Sequence, residues 1–288
     1  MGNAPVKKTV HEAVLAFAAQ ENVDNKANVV LLSETLIDPD GMFDPALPCL
    51  IGNVPASMEL RGQCVAYMES FPGTEEKAKN RRGQKALTPI AAGGLENVLQ
   101  SLFHDSQRLT LTPEEMMKVD SLRCAMLPSI FVVDKKLETS AFELGQLPTV
   151  RLCIGGSKTF VVVSGAAVYQ YLDSTGKKYD GKQVAGFLRD MTAKDLEAFV
   201  AQGHTIWYGK QEAGHGIYMP PGHLFWEQIG DSDFGGAKSV VLLGQKKDGT
   251  GKDAEMLLSD VCKVLMHHSS NNLLMTSARD IMAARKGA

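Results

Sequence analysis

An α+β fold is predicted for this chain, with a barrel of β-strands in its C-terminal half and helices on either side. Three observations carry that expectation. The segments SIFVVD, VRLCIGG, KTFVVVSG, GIYMPPG and KSVVLLG are short, rich in β-branched and aromatic residues, and bounded by glycine or proline, as strands are. Helical periodicity with cap signals occurs before and after them. The composition is that of an ordinary globular protein: 44% hydrophobic, 22% charged, with a formal charge of −3 over 288 residues. Residues 1–128 read as a mixed helical and extended region packed on the barrel, 129–245 as the barrel and 246–288 as a helical hairpin.

Taken in order, residues 9–20 put Val10, Val14, Phe17 and Ala18 on one side at helical spacing, with Thr9 and Glu12 as a capping box. From Asn28 to Cys64 the pattern changes to short apolar runs broken by Asp38-Pro39-Asp40-Gly41 and by Pro45, Pro48 and Pro55, which reads as strands or extended loops. Gly93-Gly94 precedes a helix carrying Leu95, Val98, Leu99 and Leu102. Thr112-Pro113-Glu114-Glu115 combines a hydroxyl cap, a first-turn proline and a carboxylate three residues after the cap, so a helix is expected from there to Met126. Thr192 to Ala201 is a compact helix with Asp195 three residues after its cap. In the tail, Ala254–Met266 and Leu273–Ala284 read as two antiparallel helices joined at Ser269-Ser270-Asn271.

The totals exclude several function classes. Five cysteines (Cys49, Cys64, Cys124, Cys153, Cys262) are widely spaced and form no zinc-binding pattern, which fits reduced thiols in a cytoplasmic, intracellular setting. Neither a signal-peptide core nor a run of about 18 apolar residues occurs, so no membrane span is expected. Met1-Gly2 invites N-myristoylation, but Val6 stands where that motif needs Ser or Thr. Lys77, Lys79, Arg81, Arg82 and Lys85 follow Glu75 and Glu76 in a loop-like stretch and are read as solvated rather than as a nucleic-acid footprint. Partners are left open, a homo-oligomer among them.

From Gly214 the chain runs through five residues to Pro220 and, after one more, to Gly222, followed by HLFWEQI. This spacing resembles the second conserved motif of cupins and is similar to that of the JmjC-type oxygenases. It would let a strand reach a barrel rim, turn at Pro-x-Gly and return with alternate side chains facing the cavity. Val150–Val163 resembles the JmjC hairpin, a strand, a Gly-x-Lys turn and a second apolar strand. The resemblance implies a double-stranded β-helix, or jelly roll, over about residues 143–243. It also implies an Fe(II) centre and a 2-oxoglutarate cosubstrate, whose carboxylate would fall to Lys158. Phe225, Trp207 and Tyr218 would line the cavity.

The standard ligands are missing. The metal-binding histidine expected three residues after Gly222 is Phe225, and the region of the first ligand pair offers Glu143 alone. A ferrous oxygenase needs two imidazoles and a carboxylate on three facial positions. Loss of these with retention of the turn and strands predicts a non-catalytic binding or structural module, with no cofactor. A divergent oxygenase would have to draw relocated ligands from His204, His215, His223 and Glu227. A third reading is an assembly unit of capsid or scaffold type, since jelly rolls serve both roles. Gly155-Gly156-Ser157-Lys158 lacks the spacing of a P-loop. His267-His268 caps a helix end, and Asp231, Asp233 and Asp248 are turn residues.

Overall fold

In the computed structural model, residues 9–20, 26–35, 46–70, 83–102, 128–135, 138–139, 148–176, 178–220 and 222–241 are described. They form six α-helices and two sheets of mostly antiparallel strands. The N-terminal part contains α1 (Val10–Ala18), β1 (Val29–Leu31), β2 (Glu34–Thr35), β3 (Cys49–Ile51), α2 (Met58–Ser70), β4 (Gly83–Ala86) and α3 (Pro89–Leu102). It is followed by β5 (Ser129–Val133), β6 (Glu138–Thr139), β7 (Thr149–Gly155) and β8 (Ser157–Ser164). Three helices then intervene: α4 (Gly165–Ser174), α5 (Gly181–Asp190) and α6 (Ala193–Ala201). The chain ends in β9 (Ile206–Glu212), β10 (Gly216–Met219), β11 (His223–Ile229) and β12 (Phe234–Val240).

Local chemistry accounts for the helix starts. At α1 the Thr9 hydroxyl accepts from the Glu12 amide at 3.2 Å while the Glu12 carboxylate accepts from the Thr9 amide at 2.8 Å. The same reciprocal box opens α5 with Asp180 and Gln183, and α6 with Thr192 and Asp195.

The first sheet has the order β1-β9-β8-β11-β6 and the second β2-β3-β10-β7-β12-β5-β4, with β1–β9 and β2–β3 the parallel pairs. Among the strands from β5 onward the pairing is nested: β5 with β12, β6 with β11, β7 with β10, and β8 with β9. Cross-links β7–β12 and β8–β11 complete each sheet. No strand of one sheet pairs with a strand of the other among the described residues, so the expected barrel is not closed. The extra strands β1, β2, β3 and β4 occupy the edges instead, extending each sheet sideways.

Alternation along each strand builds layers. Val161 and Val163 of β8 point outward into a core with Val10, Val14, Phe17, Val168, Leu188, Leu196, Phe199 and Trp226. Phe160 and Val162 point the other way, packing with Phe225 of β11 and with Leu50, Ile217 and Met219 of the second sheet. On the far side of the second sheet, Ile130, Val150, Leu152 and Ala237 pack against Leu60 and Cys64 of α2 and Leu95, Val98 and Leu99 of α3. The order is therefore helices, sheet, sheet, helices.

Several expectations need correction. α2 begins inside the stretch to Cys64 expected to be extended; of its apolar residues Leu60 and Cys64 alone are buried, too few to mark a stripe. α3 starts at Pro89 and runs through Gly93-Gly94; a Cβ on Gly94 would clash with the hydroxyl of Ser57, the residue just before α2, so that glycine permits close approach to the start of α2. β12 starts at Phe234, upstream of the KSVVLLG run. α4, α5 and β9 have no counterpart in the sequence reading. The helices expected at Thr112–Met126, Ala254–Met266 and Leu273–Ala284 lie outside the described residues, as does most of the basic cluster.

Candidate functional site

The candidate site is the layer between the two sheets. Pro220 and Gly222 bring β10 of the second sheet round to β11 of the first, and Gly222 has φ +73, a left-handed conformation that favours glycine. The register then sets Phe225 opposite Val162, Glu227 opposite Phe160 and Ile229 opposite Lys158. Period-two alternation puts Phe225 and Glu227 on the inner face with Phe160 and Lys158.

Lys158 and Glu227 meet diagonally. The Lys158 ammonium donates to Glu227 Oε2 at 2.7 Å, with side chains only 1% and 3% exposed. The ammonium also lies 4.7 Å from the ring centroids of Phe225 and Phe234, and the Arg151 guanidinium lies 5.2 Å from the Phe225 ring. Both approaches are within cation–π range. Phe160 stacks on Phe225 at 6.4 Å, and a Cβ on Gly209 would come within 2.8 Å of the Phe160 ring. Gln211, fully buried, donates from Nε2 to the Arg151 carbonyl at 2.8 Å and the His215 carbonyl at 3.1 Å. It thereby ties the first sheet to β7 of the second.

The remaining candidates scatter. His223 is buried on β11 with its ring 5.6 Å from Trp207, which packs beside Phe225 at one end of the inner layer. His215 sits in the β9–β10 turn, where Nδ1 accepts from the Glu212 amide at 3.2 Å and Nε2 lies 3.0 Å from Glu34. His204 lies on the helical side of the first sheet with its ring 4.8 Å from Phe199, and burial lowers its pKa. Tyr218 does not line the inner layer: Ile217 and Met219 point inward, so Tyr218 packs with Ile51, Val150 and Leu152 on the α2–α3 side. Glu143 lies outside the described residues.

No three histidine, cysteine, aspartate or glutamate side chains come together as a metal-binding group among the described residues. Cys153 shares the inner layer with Phe131, Phe234 and Ile229; burial pushes its thiol up to about 12, partly offset by nearby Lys158. Cys64 and Cys153 are buried free thiols. No described helix is long and apolar enough to cross a membrane.

The sequence reading placed Glu227 on the face of Phe225 but missed Arg151 and Gln211. Both lie on strand faces that alternate inward, and the signal for Arg151 was its place between Val150 and Leu152. No protein-family model matches the chain, and no curated protein is similar to it.

Proposed function

We propose that the chain is a double-stranded β-helix of the cupin and JmjC type that lacks the standard ferrous site and serves as a non-catalytic binding or structural module. The nested pairing of β5–β12, β6–β11, β7–β10 and β8–β9 supports the fold, since a long hairpin folded over on itself gives that order. The observation that carries the function is the buried Lys158–Glu227 contact at 2.7 Å. In the family resemblance this lysine holds the 2-oxoglutarate carboxylate. Here an internal carboxylate takes that place, and Phe225, with no lone pair to offer, faces the same space.

These residues do not fit a ferrous oxygenase. Glu227 is engaged by Lys158, His215 is turned to Glu34, and His204 lies on the opposite side of the first sheet. The oxygenase alternative would require all three to move to His223. Metal analysis of gently purified full-length protein, with titration of 2-oxoglutarate, tests the proposal. Iron far below stoichiometric and no saturable 2-oxoglutarate binding are expected. Stoichiometric iron that disappears in His223→Ala would overturn it.

A further inference from the structure

The layer outside the first sheet contains two histidines in unusual company. On α1, the His11 ring lies 6.3 Å from Trp226, nearly parallel at 14°, and 6.3 Å edge-on from Tyr208. Trp226 is wholly buried and Tyr208 nearly so, which makes His11 part of the contact that seats α1 on the sheet. His204 follows α6 and leans on Phe199, a core residue of the same layer. Between α1 and α6 runs a groove of about 260 Å³, lined by Ala13, Phe17 and Gln20 on one side and Met191, Leu196 and Glu197 on the other. The seam between these helices is therefore not closely packed, and α1 depends on Val10, Val14, Phe17 and His11 for its hold.

Glu12 neighbours His11 on its own helix. On α6, Glu197 stands across the groove, Lys194 is exposed in the first turn, and Asp195 is held by the Thr192 capping box and the Tyr171 hydroxyl; on β9, Lys210 lies two residues beyond Tyr208 and pairs with Glu212. On α5, Arg189 pairs with Asp190. Glu12 is the one described group whose charge favours His11 protonation, and its carboxylate is already engaged in the Thr9 capping box. Charging His11 in place would put a cation on a desolvated sheet face, and at 6.3 Å the Trp226 and Tyr208 rings stand past the reach of about 6 Å within which a ring face offsets that cost.

We propose that α1 is an acid-released cover: protonation of His11 undocks the helix from the first sheet and uncovers Tyr208 and Trp226. Burial holds both histidines below their ordinary value near 6.5. The docked state therefore binds fewer protons than the undocked one, so docking is at full strength above that value and is lost progressively as the pH falls below it.

Amide hydrogen exchange on the full chain tests this, comparing about pH 7.5 with about pH 5.5, either side of the ordinary histidine value and corrected for intrinsic rates. Residues 10–18 should lose protection several-fold more than residues 89–102 of α3, whose core contacts contain no histidine. His11→Phe should remove most of that difference, and His11→Gln provides the check if the phenylalanine variant misfolds. In a Trp207→Phe background, Trp226 emission should shift to the red on acidification in step with the exchange. Parallel loss in both helices, or an unchanged difference in the His11 variants, would overturn the proposal.

Discussion

The two faces of β8 carry different kinds of core. Outward, Val161 and Val163 enter a layer of aliphatic and aromatic side chains from α1, α4, α5 and α6. Inward, Lys158 shares its face with Phe160 and Val162 and is matched to a carboxylate on β11. An apolar layer is held by area and shape and accepts small rearrangements. A buried ion pair contributes little net stability but penalises every arrangement that separates the charges. The contrast teaches that the outer layer supplies adhesion, while the inner one makes the β8–β11 register hard to change.

Breaking the inner layer at one partner should have the largest effect. Glu227→Ala leaves the Lys158 ammonium buried without its carboxylate, and a loss of about 3–5 kcal/mol in chemical denaturation is expected. A loss under about 1 kcal/mol, the range of an exposed pair, would show that water reaches the pair. Truncation in the outer layer should come next: Leu196→Ala, fully buried against the sheet, should cost about 2–5 kcal/mol through lost burial and a residual cavity. The contrast sharpens in the double variant Lys158→Met with Glu227→Leu. It should fold with stability close to the parent, so the coupling between the two sites cancels most of the single-site loss. The smallest single-site loss is that of Thr192→Ala, which removes one half of the α6 capping box and should cost about 1 kcal/mol.

The parts legible in the sequence are those set by neighbours along the chain. The Thr9–Glu12 and Thr192–Asp195 boxes are three-residue signals, and the helices they start are found there. β7, β8 and β10 announce themselves through β-branched runs between glycines and prolines. α5 carries an equally local signal in Asp180 and Gln183, hidden by two glycines within the helix. β9 was obscured by Gly209, whose missing side chain makes room for the Phe160 ring. At the candidate site, parity along β11 showed Glu227 to share the face of Phe225. Its pairing with Lys158 depends on which strand lies beside β11, a matter of long-range packing that no short window contains. The scattering of His204, His215 and His223 has the same origin: they are close in sequence, but a helix end, a turn and a strand separate them in space.

The polypeptide leaves the first sheet at Ser164 and returns at Ile206, the direct cross-strand neighbour of Val163. Everything from α4 to α6 is thus a detour whose two ends must be gathered before β8 and β9 can zip. Closing so long a loop with loose chain would be entropically costly and slow. Contacts such as Tyr171 with Phe187 and Phe199, and the bond from Ser174 to Gln202, draw the detour together by itself. The helical insert can therefore act as a clasp that forms early and delivers both strand ends to the same place, so that hairpin closure follows helix assembly.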